Sequence, residues 1–293
     1  AFLMIKRITR KKLDVEKYTN CLNNAVNYRI YAEYWYLDTL VGDNWDCYVL
    51  NDYEAIMPLP YTKKIGVKFI TQPIYCQQLG VFHDQNFSKE IFEQFEKKLH
   101  KNLVRAYSFN EENTELFRPK GTQKVNFILN LNRPYIQISE NYTSKRNKEL
   151  RRTSKMSLEI NEVNNLQNFQ LLKDKYEYIH THKLEKKYKP IFETLLKNGT
   201  LRIFDIFSKE QILIGSQAML FSENRIICLS FARNKEQEKH NTSAYILDYI
   251  IKNNAEKDLI FDFEGSILPA VAKFMEGYSP QKKYYSIYSN INF

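Results

Sequence analysis

The sequence predicts an α+β protein of two consecutive domains, each a mixed and mostly antiparallel sheet flanked by helices. Length is the first reason, since at roughly 100 to 200 residues per domain a chain of 293 residues favours two. The second is that one order of patterns, helix, antiparallel strands, helix, strands, runs through both halves, although the halves share no residue-level identity. The third is the stretch 225–266, which reads strand, helix, strand.

In the first half, Phe2 to Ile8 has strand character, and Leu13 to Tyr34 reads as a helix with Leu22, Ala25, Val26 and Ile30 on one face. Trp45 to Leu50 and Tyr53 to Leu59 flank an Asn51-Asp52 turn and so form a hairpin. Val67 to Phe82 is punctuated by Pro73 and Gly80. Ser88 is placed to cap a helix over Lys89 to His100 that turns Ile91, Phe92, Phe95 and Leu99 inward. Strands Val104 to Phe109 and Val125 to Leu131 follow. The second half opens with strand Leu158 to Val163 and helices Leu166 to His180 and Pro190 to Lys197, the latter closed by Asn198-Gly199. Leu201 to Phe207, Ile212 to Phe221 and Ile226 to Ala232 then make a three-stranded meander. A helix from Ile267 to Gly277 and a strand from Tyr284 to Tyr288 come last.

Within 225–266, Arg225 to Arg233 is a short run rich in β-branched and aromatic residues and reads as a buried strand. Asn241, Thr242 and Ser243 offer capping side chains to an amphipathic helix with Leu247, Ile250 and Ile251 at helical spacing. Then Leu259, Phe261 and Phe263 point one way and Ile260, Asp262 and Glu264 the other, until Gly265 ends the strand. Sterics make such a βαβ unit right-handed with parallel strands. Ligands in such sheets lie at the carboxyl ends of the strands, which here are Ser230 to Arg233 and Asp262 to Ser266.

Net charge is +9, which makes anionic partners plausible and is equally compatible with a lysine-rich surface that only confers solubility. Much of that charge sits in one segment, Thr143 to Lys155, whose six bases face a single acid, Glu149. As a helix capped by Thr143 or Ser144 it sets Lys145, Lys148, Arg152 and Lys155 on one face, either a solvated connector or a phosphate-facing patch. The domains drawn from these patterns are residues 1–140 and 157–293, joined by this basic segment, 141–156. Cys21, Cys47, Cys76 and Cys228 are scattered without a CxxC pair, which fits reduced thiols better than disulfides or a zinc site. No apolar run approaches the ~20 residues of a membrane span, so a cytoplasmic protein is expected. Neither a phosphate-binding loop, a nucleophile elbow nor a dinucleotide fingerprint is present, and nothing points to recognition of a DNA sequence.

The order of elements in the second half resembles the GNAT acyltransferase fold. Two such domains in tandem, with Lys145-RNKELRR between them, Gln72-PIYCQQLGVF before and Leu259-IFDFEGSILPAVAKFMEGY after, look like the FemAB-like peptidoglycan bridge aminoacyltransferases. The resemblance implies a donor thioester lying in a splay between the two parallel strands, against Ser230, Phe231, Ala232, Arg233, Asn241, Thr242 and Ser243. GNAT enzymes that use acyl-CoA carry an Arg/Gln-x-x-Gly-x-Gly/Ala loop, whereas Arg233-NKEQEKHN has no glycine. The departure is compatible with an aminoacyl-tRNA donor, so either acyl-CoA or aminoacyl-tRNA is expected as co-substrate, with no tightly bound cofactor and no metal.

Acyl transfer to an amine needs a base, donors for the oxyanion and a place for both substrates. Glu264 is the base expected here, with Asp262, two residues away on the same strand face, as a second catalytic carboxylate that raises its proton affinity by like-charge repulsion; the alternative is that one of the two caps the following helix or pairs with a Lys or Arg. Amides near Phe231 and Ala232 are the oxyanion donors that the fold analogy implies, and Tyr284 or Tyr285 could return a proton to the leaving group. Lys145, Arg146, Lys148, Arg151 and Arg152 are expected to face phosphate. Gln72, Gln77 and Gln78, polar in an apolar stretch, are read as lining an acceptor cleft or as ordinary hydrogen-bonding residues. The competing reading is a non-catalytic module of the same fold that binds RNA or another polyanion through residues 145–155.

Overall fold

The computed structural model describes residues 4–176, 188–237, 241–265 and 268–291. Ser266 and the end of the helix expected to reach His180 lie outside the described residues. The chain divides into two compact units, Ala1–Val125 with Lys283–Phe293, and Asn126–Lys282.

Unit 1 begins with β1 (Ile5–Thr9), α1 (Val15–Asn23) and α2 (Tyr34–Val41). The single helix read from Leu13 to Tyr34 is thus broken, and Val26, expected on its inner face, is exposed. The Asn24 side-chain amide donates to the Asn20 carbonyl at 2.8 Å, a local bond that competes with continuation of the helix. The hairpin is formed by β2 (Trp45–Leu50) and β3 (Ala55–Lys64), with Leu50 opposite Ala55. Then come β4 (Val67–Thr71), β5 (Phe82–His83), α3 (Lys89–His100), β6 (Leu103–Phe109) and α4 (Glu111–Phe117). Ser88 caps α3, its Oγ accepting from the Ile91 N–H at 3.3 Å.

Unit 2 takes most of β7 (Thr122–Asn130), then α5 (Tyr135–Ser139), α6 (Ser144–Thr153), β8 (Glu159–Val163), α7 (Gln167–Tyr176) and α8 (Tyr188–Lys197). The meander β9 (Leu201–Phe207), β10 (Leu213–Phe221) and β11 (Arg225–Arg233) lies where its apolar runs predict, with Ile203, Ile206, Ala218, Leu220 and Ile226 buried. It is followed by α9 (Thr242–Asn254), β12 (Ile260–Asp262) and α10 (Pro269–Glu276). The last strand, β13 (Gln281–Tyr288), returns to unit 1.

Strand order in unit 1 is β1-β2-β3-β4-β6-β13, with β5 beside β3, and in unit 2 it is β8-β9-β10-β11-β12-β7. In both series the fourth and fifth strands are parallel, β4 with β6 and β11 with β12, and the other neighbours with a described register are antiparallel. The two units therefore repeat one topology. Their closing strands are exchanged: β7, from the middle of the sequence, pairs with β12, and β13 pairs with β6. The units accordingly divide inside β7 and β13 rather than around 141–156, and α6, which that segment forms, packs on α9 within unit 2. No helix among the described residues is long and apolar enough to cross a membrane.

Candidate functional site

The parallel strands of unit 2 form a fork. Their pairing runs Arg225 with Ile260, Ile226 with Phe261 and Ile227 with Asp262, and stops there. Strand β11 continues for six residues to Arg233, held on its other side by β10. At this point β11 also bulges, because Ala218 faces Ser230 while Met219 faces Cys228, so that Leu229 is the extra residue. Beyond Ile227 the described pairing of β11 with β12 ends, while β10 still holds the other edge of β11 and Gln217 Nε2 donates to the Ser230 carbonyl at 3.1 Å. Ser230 and Phe231 are half-buried there, Ala232 is buried and Arg233 is exposed. Helix α9 starts nearby in sequence, but the side-chain cap expected from Asn241, Thr242 or Ser243 is not made. The Ala244 N–H donates to the Asn241 carbonyl at 3.2 Å, and the start of α9 carries the positive end of the helix dipole.

One carboxylate ties the fork together. Asp262 is buried and accepts three bonds: from Arg225 Nη1 at 2.7 Å, from Asn126 Nδ2 at 3.0 Å and from the Glu264 backbone N–H at 2.8 Å. These bonds join β7, β11 and β12. Asp262 is therefore the partner of a buried arginine, the alternative open to it from sequence, rather than a catalytic group working beside Glu264. Nor does Glu264 share its strand face, because β12 ends at Asp262. Glu264 instead takes a left-handed backbone at φ 58, followed by Gly265 at φ 56, a conformation uncommon for a residue with a side chain and concentrated at functional sites. It is half-buried. Cys228, where the pairing stops, has its thiol held well above the ordinary range, first by burial and then by the negative charges of Asp262 and Glu264. A raised thiol disfavours the thiolate that a nucleophilic cysteine needs.

Unit 1 contains the corresponding fork, and its own chain fills it. After Thr71 the Gln72 N–H donates to the Ala106 carbonyl at 2.9 Å, and Gln72 Oε1 accepts from the Ser108 N–H at 3.0 Å. Gln72 Nε2 donates to the Cys76 carbonyl at 2.6 Å, and Leu79 bridges to β6 beside Phe109. Gln78 is buried, donating to Glu111 Oε1 at 3.1 Å and accepting from the Glu111 N–H, while its Nε2 also reaches Gln77 Oε1 at 2.9 Å. Gln72, Gln77 and Gln78 thus close the fork of unit 1 and anchor α4. Of the two hydrogen-bonding roles open to them from sequence, the structural one is seen here.

The basic segment is helical, with Thr143 Oγ1 capping it by accepting from the Arg146 N–H at 3.2 Å. Lys145, Lys148, Arg151, Arg152 and Lys155 are exposed and make no ion pair among the described residues. Arg146 differs, which corrects its reading as a phosphate ligand. It is buried, donates to Glu149 at 2.8 Å and to the Phe274 carbonyl at 2.6 Å, and lies 4.4 Å from the Phe274 ring and 4.5 Å from the Tyr278 ring. A Cβ at Gly277 would come within 2.8 Å of its guanidinium. Tyr285 lies on β13 and so belongs to unit 1, not to the unit that carries the open fork. Sequence reasoning missed Arg225 and Asn126. The one available signal for Arg225 was a charged residue opening an apolar strand.

No protein-family model and no curated protein sequence matches the chain. Solved structures do. FemX superposes with a TM-score of 0.67 over 97% of this chain and 97% of its own, at 9% identity. L-PGS from Bacillus licheniformis gives 0.55 over 96% and 93%, at 12% identity. A tandem GNAT protein from the clavulanic acid biosynthesis pathway gives 0.54 over the full length of both, at 9% identity. With its repeated topology and forked parallel strands, the chain has a tandem GNAT-like fold similar to those of FemX and the tandem GNAT protein.

Proposed function

We propose that unit 2 transfers an acyl or aminoacyl group to an amine. The observation that carries this reading is the open end of β11 beside a half-buried Glu264 held in a left-handed backbone by Asp262. A donor carbonyl lies along Ser230 to Arg233, where backbone amides near Phe231 and Ala232 meet the oxygen that becomes negative as the amine adds. Glu264 takes the ammonium proton, the tetrahedral intermediate collapses, and the leaving thiol or hydroxyl carries away the electron pair of the broken bond together with a proton. The donor is an acyl-CoA or an aminoacyl-tRNA. The phosphates of that donor meet Lys145, Lys148, Arg151 and Arg152. The filled fork of unit 1 supports assigning the donor to unit 2 alone.

The test is transfer to a panel of amines by wild type and Glu264→Gln. The variant should fold and bind donor while losing about 10² or more in turnover, the scale of a general base. Equal turnover would remove Glu264 from the reaction. The rival reading, a binding module for RNA or another polyanion, is favoured by the glycine-free loop after Arg233 and by the unpaired cations of α6. Under either reading, Arg151→Ala with Arg152→Ala should weaken tRNA binding and flatten its salt dependence by about one to two counterions, since each phosphate contact releases one. An unchanged slope would make α6 a solvated helix with no phosphate role.

A further inference from the structure

A cavity of about 390 Å³ opens between α5, α6 and α9, along the same α6 that bears the free cations. Tyr135, Tyr245, Tyr249, Asp248, Arg151 and Lys252 are among the residues that line it. Asp248 accepts the Tyr135 hydroxyl at 2.9 and 2.8 Å on its two oxygens and has no cation within ion-pair distance among the described residues. A carboxylate has about four acceptor positions, and with the Tyr135 hydroxyl and the neighbouring Tyr142 as its partners this one still has room for an N–H donor from a ligand. Tyr249 is 40% exposed, its ring open to a stacking partner. Arg151 and Lys252 are exposed, Lys252 lying 5.5 Å from the Tyr135 ring centre.

We propose that this cavity binds a nucleotide: an aromatic base against Tyr249 and Tyr245 with its ring or exocyclic N–H on Asp248, and its phosphate on Arg151 and Lys252. Three features meet here that a bare anion site would not need. Stackable rings suit a flat heterocycle, a desolvated acceptor suits its N–H edge, and two cations suit its phosphate. A simple phosphate would use the cations alone, and an ammonium ligand would meet a net positive rim. The inference rests on the reading above only in treating α6 as phosphate-facing, and it adds the base-recognising part of the ligand.

Calorimetric titration with AMP, GMP, CMP and UMP, with inorganic phosphate as the control, tests it. At least one mononucleotide should bind at least tenfold more tightly than phosphate. Tyr249→Ala should weaken that binding about tenfold, by loss of the stack. Asp248→Asn, which keeps a partner for Tyr135, should change the ranking of the four bases. Equal binding of nucleotides and phosphate, or no effect of Tyr249→Ala in a variant that melts like wild type, overturns the proposal. A short single-stranded RNA separates the two sources of the nucleotide. Extra affinity that disappears in Lys148→Ala with Arg152→Ala marks a strand continuing along α6, and affinity equal to the mononucleotide marks a free nucleotide. Glu264→Gln should leave all of these titrations unchanged, so failure here and failure of the transfer assay are read independently.

Discussion

Arg225→Leu is expected to lower the unfolding free energy by about 3 to 5 kcal/mol, the usual cost of leaving one member of a buried ion pair without its partner. Both groups are almost fully enclosed, and the pair is made through a 2.7 Å bond. The loss is not only electrostatic. Asp262 also holds Asn126 of β7 and the backbone of Glu264, so a carboxylate that swings toward water or takes up a proton loosens both. Denaturant unfolding should show the midpoint falling while the slope stays close to wild type. Arg225→Leu combined with Asp262→Asn should recover part of the loss, because no uncompensated charge then stays buried. A loss below about 1 kcal/mol for the single variant would mean that the pair is not the hub of the fork.

Arg146→Leu is the second large effect, about 3 kcal/mol, from the loss of bonds made by a charged donor and of a cation held between two aromatic rings. Leucine keeps apolar contact with Phe274 and Tyr278 but leaves the Phe274 carbonyl only the Gly277 N–H, at 3.2 Å, in place of a charged donor at 2.6 Å. Gly277→Ala should act in the same direction by about 1 to 3 kcal/mol, since the new methyl would enter the space of the guanidinium. Thermal unfolding of the two variants and of their combination checks the argument, and the combined loss should fall short of the sum because both act on one contact. If Arg146→Leu melts with wild type, the arginine is not what fastens α6 to α10.

Why some of this was legible in the sequence and some was not has a physical reason. The meander and the βαβ unit announce themselves, because each strand there is a continuous apolar run bounded by turn residues, and periodicity reports burial directly. Helix α4 is short, seven residues after Asn110, and its apolar face is too brief to register as a period. The pairing of Arg225 with Asp262 spans 37 positions and leaves no local trace. Arg146 was misread for a related cause: at helical spacing it falls on the inner side, but an arginine amid five other bases looks like surface charge until its two rings, far along the chain, are seen around it. Alternation extended the strand to Glu264, whereas the Asp262 side chain captures the next amide but one and turns the backbone left-handed.

The exchanged closing strands have a consequence for synthesis on the ribosome. Strand β6 of unit 1 waits for a partner encoded roughly 180 residues later, which at about 5 to 20 residues per second means an exposed, unpaired edge for about 10 to 40 s. During that interval the nascent chain presents Leu103–Phe109 as a sticky template to any passing strand. Cutting the gene near its midpoint would make the condition permanent, so two separately expressed halves should be insoluble alone and become soluble only when produced together.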